Sequence, residues 1–420
     1  MRALLTGQIG LDKKAFVAHT AAIARSHGED LQIYNIGDMM YAEAPDVRPG
    51  RILDLPLARL NALRRSVFRD VLADMPNHKN VLVNTHATFR WKHGLFSAFD
   101  FDQLALFDAD LYVTLVDNIE TVHQRMLKDH DLEHSLKDLM VWREEEILAT
   151  EILARSIRRS TAVGGGDTPP SAPGGGSTQH SSARFFVLSR GRTKPTAETL
   201  FRLIFRPNMK TVYPSFPMSH VMDLPDTLAE IDDFRAKIAD KMIAFDPGDV
   251  DEKVLSDLAI RAASTGKQTL TIFPGDPIKT AHTNFGDLQN APALAPSLAT
   301  AAAPLQLKVA DLLQIVPDID GQIYARDFML VRQSDMIVSY IPELPGPDGK
   351  PGKPGLSSGV ERELQHAHEH AKDVYVIWKP KKEPSPFITQ TANKVFRSVD
   401  EAFAYFDQKG YFQPHSLFGS

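Results

Sequence analysis

The chain contains no cysteine, which excludes disulfides, thiolate nucleophiles and cysteine-ligated zinc and agrees with a reducing compartment. It also lacks any apolar run long enough to span a bilayer. The short apolar start at residues 1–5 gives way at once to the polar stretch 7–14, so neither a membrane span nor a secretory signal is expected. Positive charge is in deficit: the net charge is −6 at pH 7, which offers no counterion-release attraction to nucleic acid or to an anionic membrane. The expectation is a cytoplasmic protein whose partners are small molecules. What is present is ordinary for a soluble chain, 420 residues at 24% charged and 43% hydrophobic, a length that predicts two or three domains.

Residues 161–182 are almost wholly Gly, Pro, Ser, Thr and Ala and cannot bury enough apolar surface to offset ordering entropy, so a flexible insertion is predicted over 161–183. Ala-Pro repeats mark a second soft region at about 276–304, and 345–354 forms a third. Hydrophobic periodicity predicts strands at 2–6, 31–36, 80–84, 111–116 and 185–188, with helices at 13–26, 57–73 and 196–205. Such alternation implies a mostly parallel sheet with helices on both faces. The strand at 185–188 is read as the last of the first domain, which makes the linker a loop within it. The predicted division is 1–206 and 207–420, the second α/β series opening at Thr211-Val212-Tyr213.

Gly7-Gln8-Ile9-Gly10-Leu11-Asp12-Lys13-Lys14 stands where the first strand turns into a helix, a place where backbone N–H groups and the helix dipole hold anions. With Gly7, Gly10 and Lys13 at the expected spacing, it resembles the P-loop of adenylate kinase-like nucleoside monophosphate kinases. Gly37-Asp38-Met39-Met40, Thr85 to Arg90 and Arg125 after Asp117 are similar in position to that family's monophosphate-binding segments. Arginines suit the role because a guanidinium pairs two phosphate oxygens at once, although Arg90, Arg125 and Arg143 also read as surface residues. Two positions depart from the pattern. Asp12 replaces a glycine and sets a carboxylate toward the phosphates, and Lys14 replaces the Ser/Thr that ligands magnesium. The resemblance thus implies a kinase-like fold, with ATP/Mg as the possible ligand, and a binding or regulatory fate rather than active phosphoryl transfer.

The second half carries a different pattern: Val212-Tyr213-Pro214-Ser215, then Arg326-Asp327 with Asp335 following, then Ser357-Ser358-Gly359-Val360-Glu361-Arg362-Glu363 opening a helix. It resembles the nucleoside 2-deoxyribosyltransferase superfamily, especially its branch of 2'-deoxynucleoside 5'-monophosphate N-glycosidases. The resemblance implies a flavodoxin-like fold and a sugar site with Glu363 as nucleophile or cation stabiliser, Asp327 as acid to the leaving base, and Tyr213, Ser215, Asp335, Ser357 and Gly359 around the substrate. Where relatives acting on free nucleosides carry an aspartate, this chain has Ser357, whose hydroxyl beside a helix N-terminus can donate to a 5'-phosphate. Breaking a C1'–N bond passes through an oxocarbenium-like sugar, which asks for one ionised and one protonated carboxyl with separated pKa values. Asp327 is expected to be the one held higher. The family implies a homo-oligomer and no cofactor for glycosidic cleavage.

Other features have plainer readings. Glu363 in a first helical turn could serve the dipole alone, Asp335 could cap a helix, and Tyr213 could be a core aromatic. His366, His368 and His370 lack metal-site order, and no metal is expected; Lys379-Pro380-Lys381-Lys382 reads as a loop after a strand. The fold expected is α/β with two doubly wound parallel-sheet domains, N-terminal P-loop kinase-like and C-terminal flavodoxin-like. The activity expected is glycosidic cleavage of nucleoside 5'-monophosphates, with deoxyribosyl transfer, monophosphate kinase activity and non-catalytic nucleotide sensing as alternatives.

Overall fold

The computed structural model describes residues 1–92, 94–130, 133–157, 183–190, 196–221, 224–275, 277–285, 303–346 and 352–412. Residues 161–182, expected to be a flexible insertion, lie outside these, as do residues 286–302.

The first run of elements is β1 (Arg2–Thr6), α1 (Lys13–Ser26), β2 (Gln32–Asn35), α2 (Ile36–Glu43), α3 (Leu57–Asp74), β3 (Val81–Asn84), β4 (Thr88–Trp91), β5 (Gly94–Ser97), α4 (Phe101–Phe107), β6 (Leu111–Val116), α5 (Ile119–His130), α6 (Leu136–Ser156) and β7 (Arg184–Ser189). The sheet order is β2-β3-β1-β6-β7. Strand β1 is parallel to both β3 and β6, and β2 to β3. These strands are continuous apolar runs because helices cover both faces: Leu4, Leu82 and Tyr112 are all fully buried. The chain leaves β1 toward β2 and β3 on one side and later adds β6 and β7 on the other. The loop after β1 therefore sits at the topological switch point, where open α/β sheets bind ligands.

The second run is α7 (Thr196–Phe205), β8 (Thr211–Ser215), α8 (Met218–Val221), α9 (Pro225–Lys241), β9 (Ile243–Ala244), α10 (Lys253–Ser264), β10 (Thr269–Ile272), α11 (Pro277–Phe285), β11 (Leu305–Lys308), α12 (Val309–Gln333), β12 (Met336–Ile341), β13 (Glu343–Leu344), β14 (Lys353–Pro354), α13 (Ser358–Glu369), β15 (Asp373–Trp378), α14 (Pro386–Thr389), β16 (Lys394–Phe396) and α15 (Val399–Gln408). Its main sheet runs β16-β15-β12-β8-β9, parallel throughout. Numbered along the chain and read from the β9 edge, the order is 2-1-3-4-5, a common order for open doubly wound sheets, with its switch point between β8 and β12. Two of the soft regions hold structure. Helix α11 occupies the start of 276–304, and β14 closes a two-stranded ribbon with β13 at the end of 345–354.

Pro214, inside a strand with neighbours on both sides, is placed where its missing N–H does no harm. Phe245 donates to the Val212 carbonyl, so alternate residues of β8 face β9, and Pro214 is the next of these. Strand β9 has already ended, pairing with Thr211 and Val212 alone.

The same period of two divides the faces of this sheet. Val212, Met336, Val338 and Tyr340 enter a core with Ile231, Phe234, Ile238, Phe396 and Phe406. Tyr213, Ser215 and Ser339 therefore project to the opposite face, the side of α12 and α13.

The chain divides into two compact units, Met1–Leu115 with Val141–Phe186, and Val116–Met140 with Val187–Ser420. Compactness thus assigns α5 and the start of α6 to the second unit, a discontinuous division that differs from a single cut near residue 206. No helix among the described residues is long and apolar enough to cross a membrane.

Candidate active site and phosphate loop

In the second unit the sheet and two helices bring four side chains to one place. The carboxylate of Glu363, on α13, accepts a hydrogen bond from Tyr213 Oη (2.9 Å) on one oxygen and from Ser215 Oγ (2.5 Å) on the other. Tyr213 and Ser215 are two residues apart on β8, both wholly buried and on the same face. Asp327, on α12, is close enough for its charge to act on both Glu363 and Tyr213. Its Oδ1 is buried and has no hydrogen-bond partner among the described residues. Ser339, the register partner of Ser215 on β12, adds a second buried oxygen, a hydroxyl, without a partner among them.

Burial raises both carboxyls, Asp327 to about 6 and Glu363 to about 8, and mutual repulsion adds to the rise of Glu363. Tyr213 and Ser215 oppose the rise of Glu363, as Arg326 opposes that of Asp327. The two acids therefore titrate as a pair that holds one proton near neutral pH. Burial orders them opposite to the sequence expectation, which put Asp327 higher. Hydrogen bonding points the other way: two hydroxyls donate to Glu363, favouring its ionised form, whereas Asp327 has a bare oxygen. We assign the charge to Glu363 and the shared proton to Asp327 on this geometric ground.

The helix carrying Glu363 starts at Ser357, whose Oγ accepts from the Val360 N–H at 3.2 Å and keeps its own proton free to donate. A Cβ on Gly359 would meet only Ser357 Oγ, at 3.7 Å, so the first turn of α13 is open to an approaching group. Asp335 lies elsewhere. It enters β12 at the end remote from Ser215, accepting from the Thr211 N–H (2.9 Å) while its own N–H donates to Thr211 Oγ1 (2.8 Å). It clamps the starts of two strands, at the end away from the Glu363 cluster. Asp335→Ala is accordingly expected to lower stability by about 1–2 kcal/mol in denaturant titration and to leave any turnover within about twofold.

Residues absent from the sequence reading support the cluster. Arg235 binds Asp246 through two nitrogens (2.7 and 3.1 Å) and stacks over Phe216, just beyond Ser215. Asp246 also accepts from the Gly248 N–H, and Arg326 donates to the Val250 carbonyl, which fastens the loop after β9. That loop leads to Asp251, whose charge helps raise Asp327. His366 stacks between Phe328 and His370, and no group of three or more possible metal ligands occurs among the described residues.

In the first unit, the loop after β1 turns through three residues of positive φ: Gly7 (132°), Gly10 (86°) and Asp12 (49°). Such left-handed turns aim successive N–H groups inward, the geometry of an anion nest. Gly7 is required, because a Cβ there would stand 2.6 Å from the Leu115 carbonyl oxygen. Asp12 takes the left-handed conformation that a glycine would adopt without strain, and its side chain makes no cap to α1.

Lys13 is buried. Its ammonium donates to the Gly7 carbonyl and lies 3.0 Å from His86 Nδ1, and burial lowers it to about 7 against the pull of Glu146. Burial and Lys13 together push His86 to about 4, so it is neutral. Glu146, wholly buried on α6, accepts from the N–H groups of Ala87 (2.8 Å) and Thr88 (3.3 Å) and holds the His86 segment against the lysine. It escaped notice in the sequence, although it lies on the buried stripe of α6 with Trp142 and Thr150. Arg90 is held by both oxygens of Glu145, and Arg125 belongs to the second unit, where it pairs with Asp117 at 2.8 Å. Arg143 is buried, not a surface residue.

Residues 16–143 match a family model described as AAA domain. The N-terminal region is a P-loop, kinase-like nucleotide-binding domain. The match begins after residues 7–14, so it rests on the strands and helices of the P-loop domain rather than on its loop. It is consistent with ATP as a ligand, but the first turn of α1 does not suit magnesium. Where a hydroxyl would meet the ion stands Lys14, paired with Asp38 at 2.8 Å. No curated protein matches the chain. The family match ends at residue 143 and does not extend to residues 187–420 of the second unit.

Proposed function

We propose that the second unit cleaves the N-glycosidic bond of a (deoxy)nucleoside 5'-monophosphate, and that the P-loop domain binds a nucleotide as substrate or regulator. The observation that carries this is the Glu363 carboxylate held by Tyr213 and Ser215 near Asp327, whose buried Oδ1 has no partner among the described residues, at the switch point of a parallel sheet. The strand order of that sheet supports the flavodoxin-like reading.

In this mechanism the C1'–N bond breaks with its electron pair leaving on the base, and Asp327 gives the base its proton. Glu363 bonds to C1' or stabilises the sugar cation from the opposite face. Water then attacks C1' and yields its proton to Asp327, which frees Glu363 and releases the 5-phospho-sugar. The Tyr213 and Ser215 hydroxyls fix the carboxylate in line with C1', where preorganisation lowers the barrier. Ser357 and the N–H groups of the first turn of α13 receive the 5'-phosphate.

Activity needs the one-proton form of the pair, so kcat/KM is expected to be bell-shaped. It should fall below about pH 6, when both acids are protonated, and above about pH 8, when neither is. Free base quantified by chromatography across pH 5–9, from each 5'-monophosphate and its free nucleoside, tests the reading. Monophosphates should exceed nucleosides by about tenfold or more. A preference for nucleosides would turn the reading toward deoxyribosyl transfer.

A further inference from the structure

The least conventional charges in the molecule lie at the phosphate loop. In a P-loop, the residue after the lysine presents a hydroxyl to the magnesium ion that travels with the nucleotide. Here that residue is Lys14, with a side chain 70% exposed and its ammonium 2.8 Å from the half-exposed carboxylate of Asp38 on α2. The ion pair raises the proton affinity of Lys14, so it is charged at any physiological pH.

A divalent ion at the usual place would meet a fixed positive charge instead of an oxygen ligand. A phosphate there would meet two consecutive ammonium groups, Lys13 and Lys14. An exposed ion pair is weak and exchanges its partner easily, so Lys14 can leave Asp38 for a phosphate oxygen. Lys13 lies within the loop itself, between the Gly7 carbonyl and His86. A phosphate entering the nest of Gly7, Gly10 and Asp12 would supply the countercharge that its burial lacks.

We propose that the P-loop domain binds its nucleotide without a divalent metal ion, the Lys14 ammonium supplying the positive charge that magnesium supplies elsewhere. The proposal rests on the nucleotide-binding reading of this domain and is independent of the glycosidase reading. It accounts for both departures at once. Lys14 removes a metal ligand and brings a positive charge of its own, and the two consecutive lysines offset the repulsion that the exposed Asp12 carboxylate would exert on a bare polyphosphate.

The test is calorimetric titration of the full chain with ATP, once in EDTA and once in excess magnesium chloride, repeated on Lys14→Ser and Lys13→Met after thermal melts show both variants folded. Wild type is expected to bind ATP in EDTA at least as tightly as with magnesium. Lys14→Ser should lose about tenfold in EDTA and recover affinity with magnesium, and Lys13→Met should lose binding in both. A tenfold or greater tightening of wild type by magnesium, or no weakening of Lys14→Ser in EDTA, overturns the proposal while leaving the nucleotide site intact. No binding in either medium, or binding indifferent to Lys13→Met, overturns the nucleotide-loop reading and the proposal with it.

Discussion

Replacing Glu363 by glutamine is expected to cut base release from a nucleoside 5'-monophosphate by about a thousandfold or more, roughly 4 kcal/mol of transition-state stabilisation. The same change should make the folded protein more stable at alkaline pH. Burial and the neighbouring Asp327 charge push Glu363 up to about 8 from an ordinary 4.5, and because the two acids titrate together the native pair holds its last proton more tightly than the unfolded chain does, wherever in the pair that proton sits. Below 4.5 both states are protonated and the shift costs nothing. As pH rises from 4.5 toward 8 the unfolded chain releases this proton while the native pair still holds it, so stability declines until the native pair ionises as well. Glutamine removes that dependence. The Tyr213 and Ser215 hydroxyls can rotate to accept from its amide, so about 2–4 kcal/mol should be recovered at pH 8.5 relative to wild type. Chemical denaturation at pH 5 and pH 8.5 reads this directly. A variant that loses activity and is equally destabilised at both pH values would indicate a structural role for Glu363.

The largest loss of stability is expected from Gly7→Ala. The new methyl would stand 2.6 Å from the Leu115 carbonyl oxygen and 2.6 Å from Leu11 Cδ1. The leucine tip can move, but the carbonyl is part of β6, a strand paired on both sides, and a φ of 132° is itself unfavourable for alanine. A destabilisation of about 3–5 kcal/mol follows, measurable by thermal or denaturant unfolding, with nucleotide binding lost even where the fold survives. Gly28→Ala is the control. It also has positive φ (71°), but nothing lies within 4 Å of its Cβ, so it should cost about 1 kcal/mol.

Much of the site was legible in the sequence because parallel-sheet chemistry is local. Tyr213 and Ser215 share a face through the period of two, and the Ser357 to Glu363 segment opens the helix that joins the neighbouring strand β12 to β15. What stayed hidden depends on contacts between distant segments. Asp335 carried the right residue type near the right strand, but it enters that strand at the wrong end and binds Thr211. Glu146 had a visible signal, an acid on an apolar helical stripe, but its partners lie in a loop remote in sequence. Arg235 and Asp246 meet only when α9 and β9 pack together. Helix α11 comes just before the Ala-Pro repeats at 291–296, whose composition made the whole region read as loop. The order of the two carboxyl pKa values could not be read either, because burial acts on both acids and the hydroxyl partners on only one of them.

The central claim is that Glu363 and Asp327 form a one-proton pair across a sugar that carries a base. Chromatographic detection of free base, with wild type, Glu363→Gln and Asp327→Asn incubated in parallel with a full set of nucleoside 5'-monophosphates at pH 7, tests it most directly. The account predicts base and 5-phospho-sugar in equal amounts from wild type with at least one monophosphate, and rates reduced by about a hundredfold or more in both variants. Absence of base from every monophosphate with folded wild type, or equal base release by all three proteins, would contradict it.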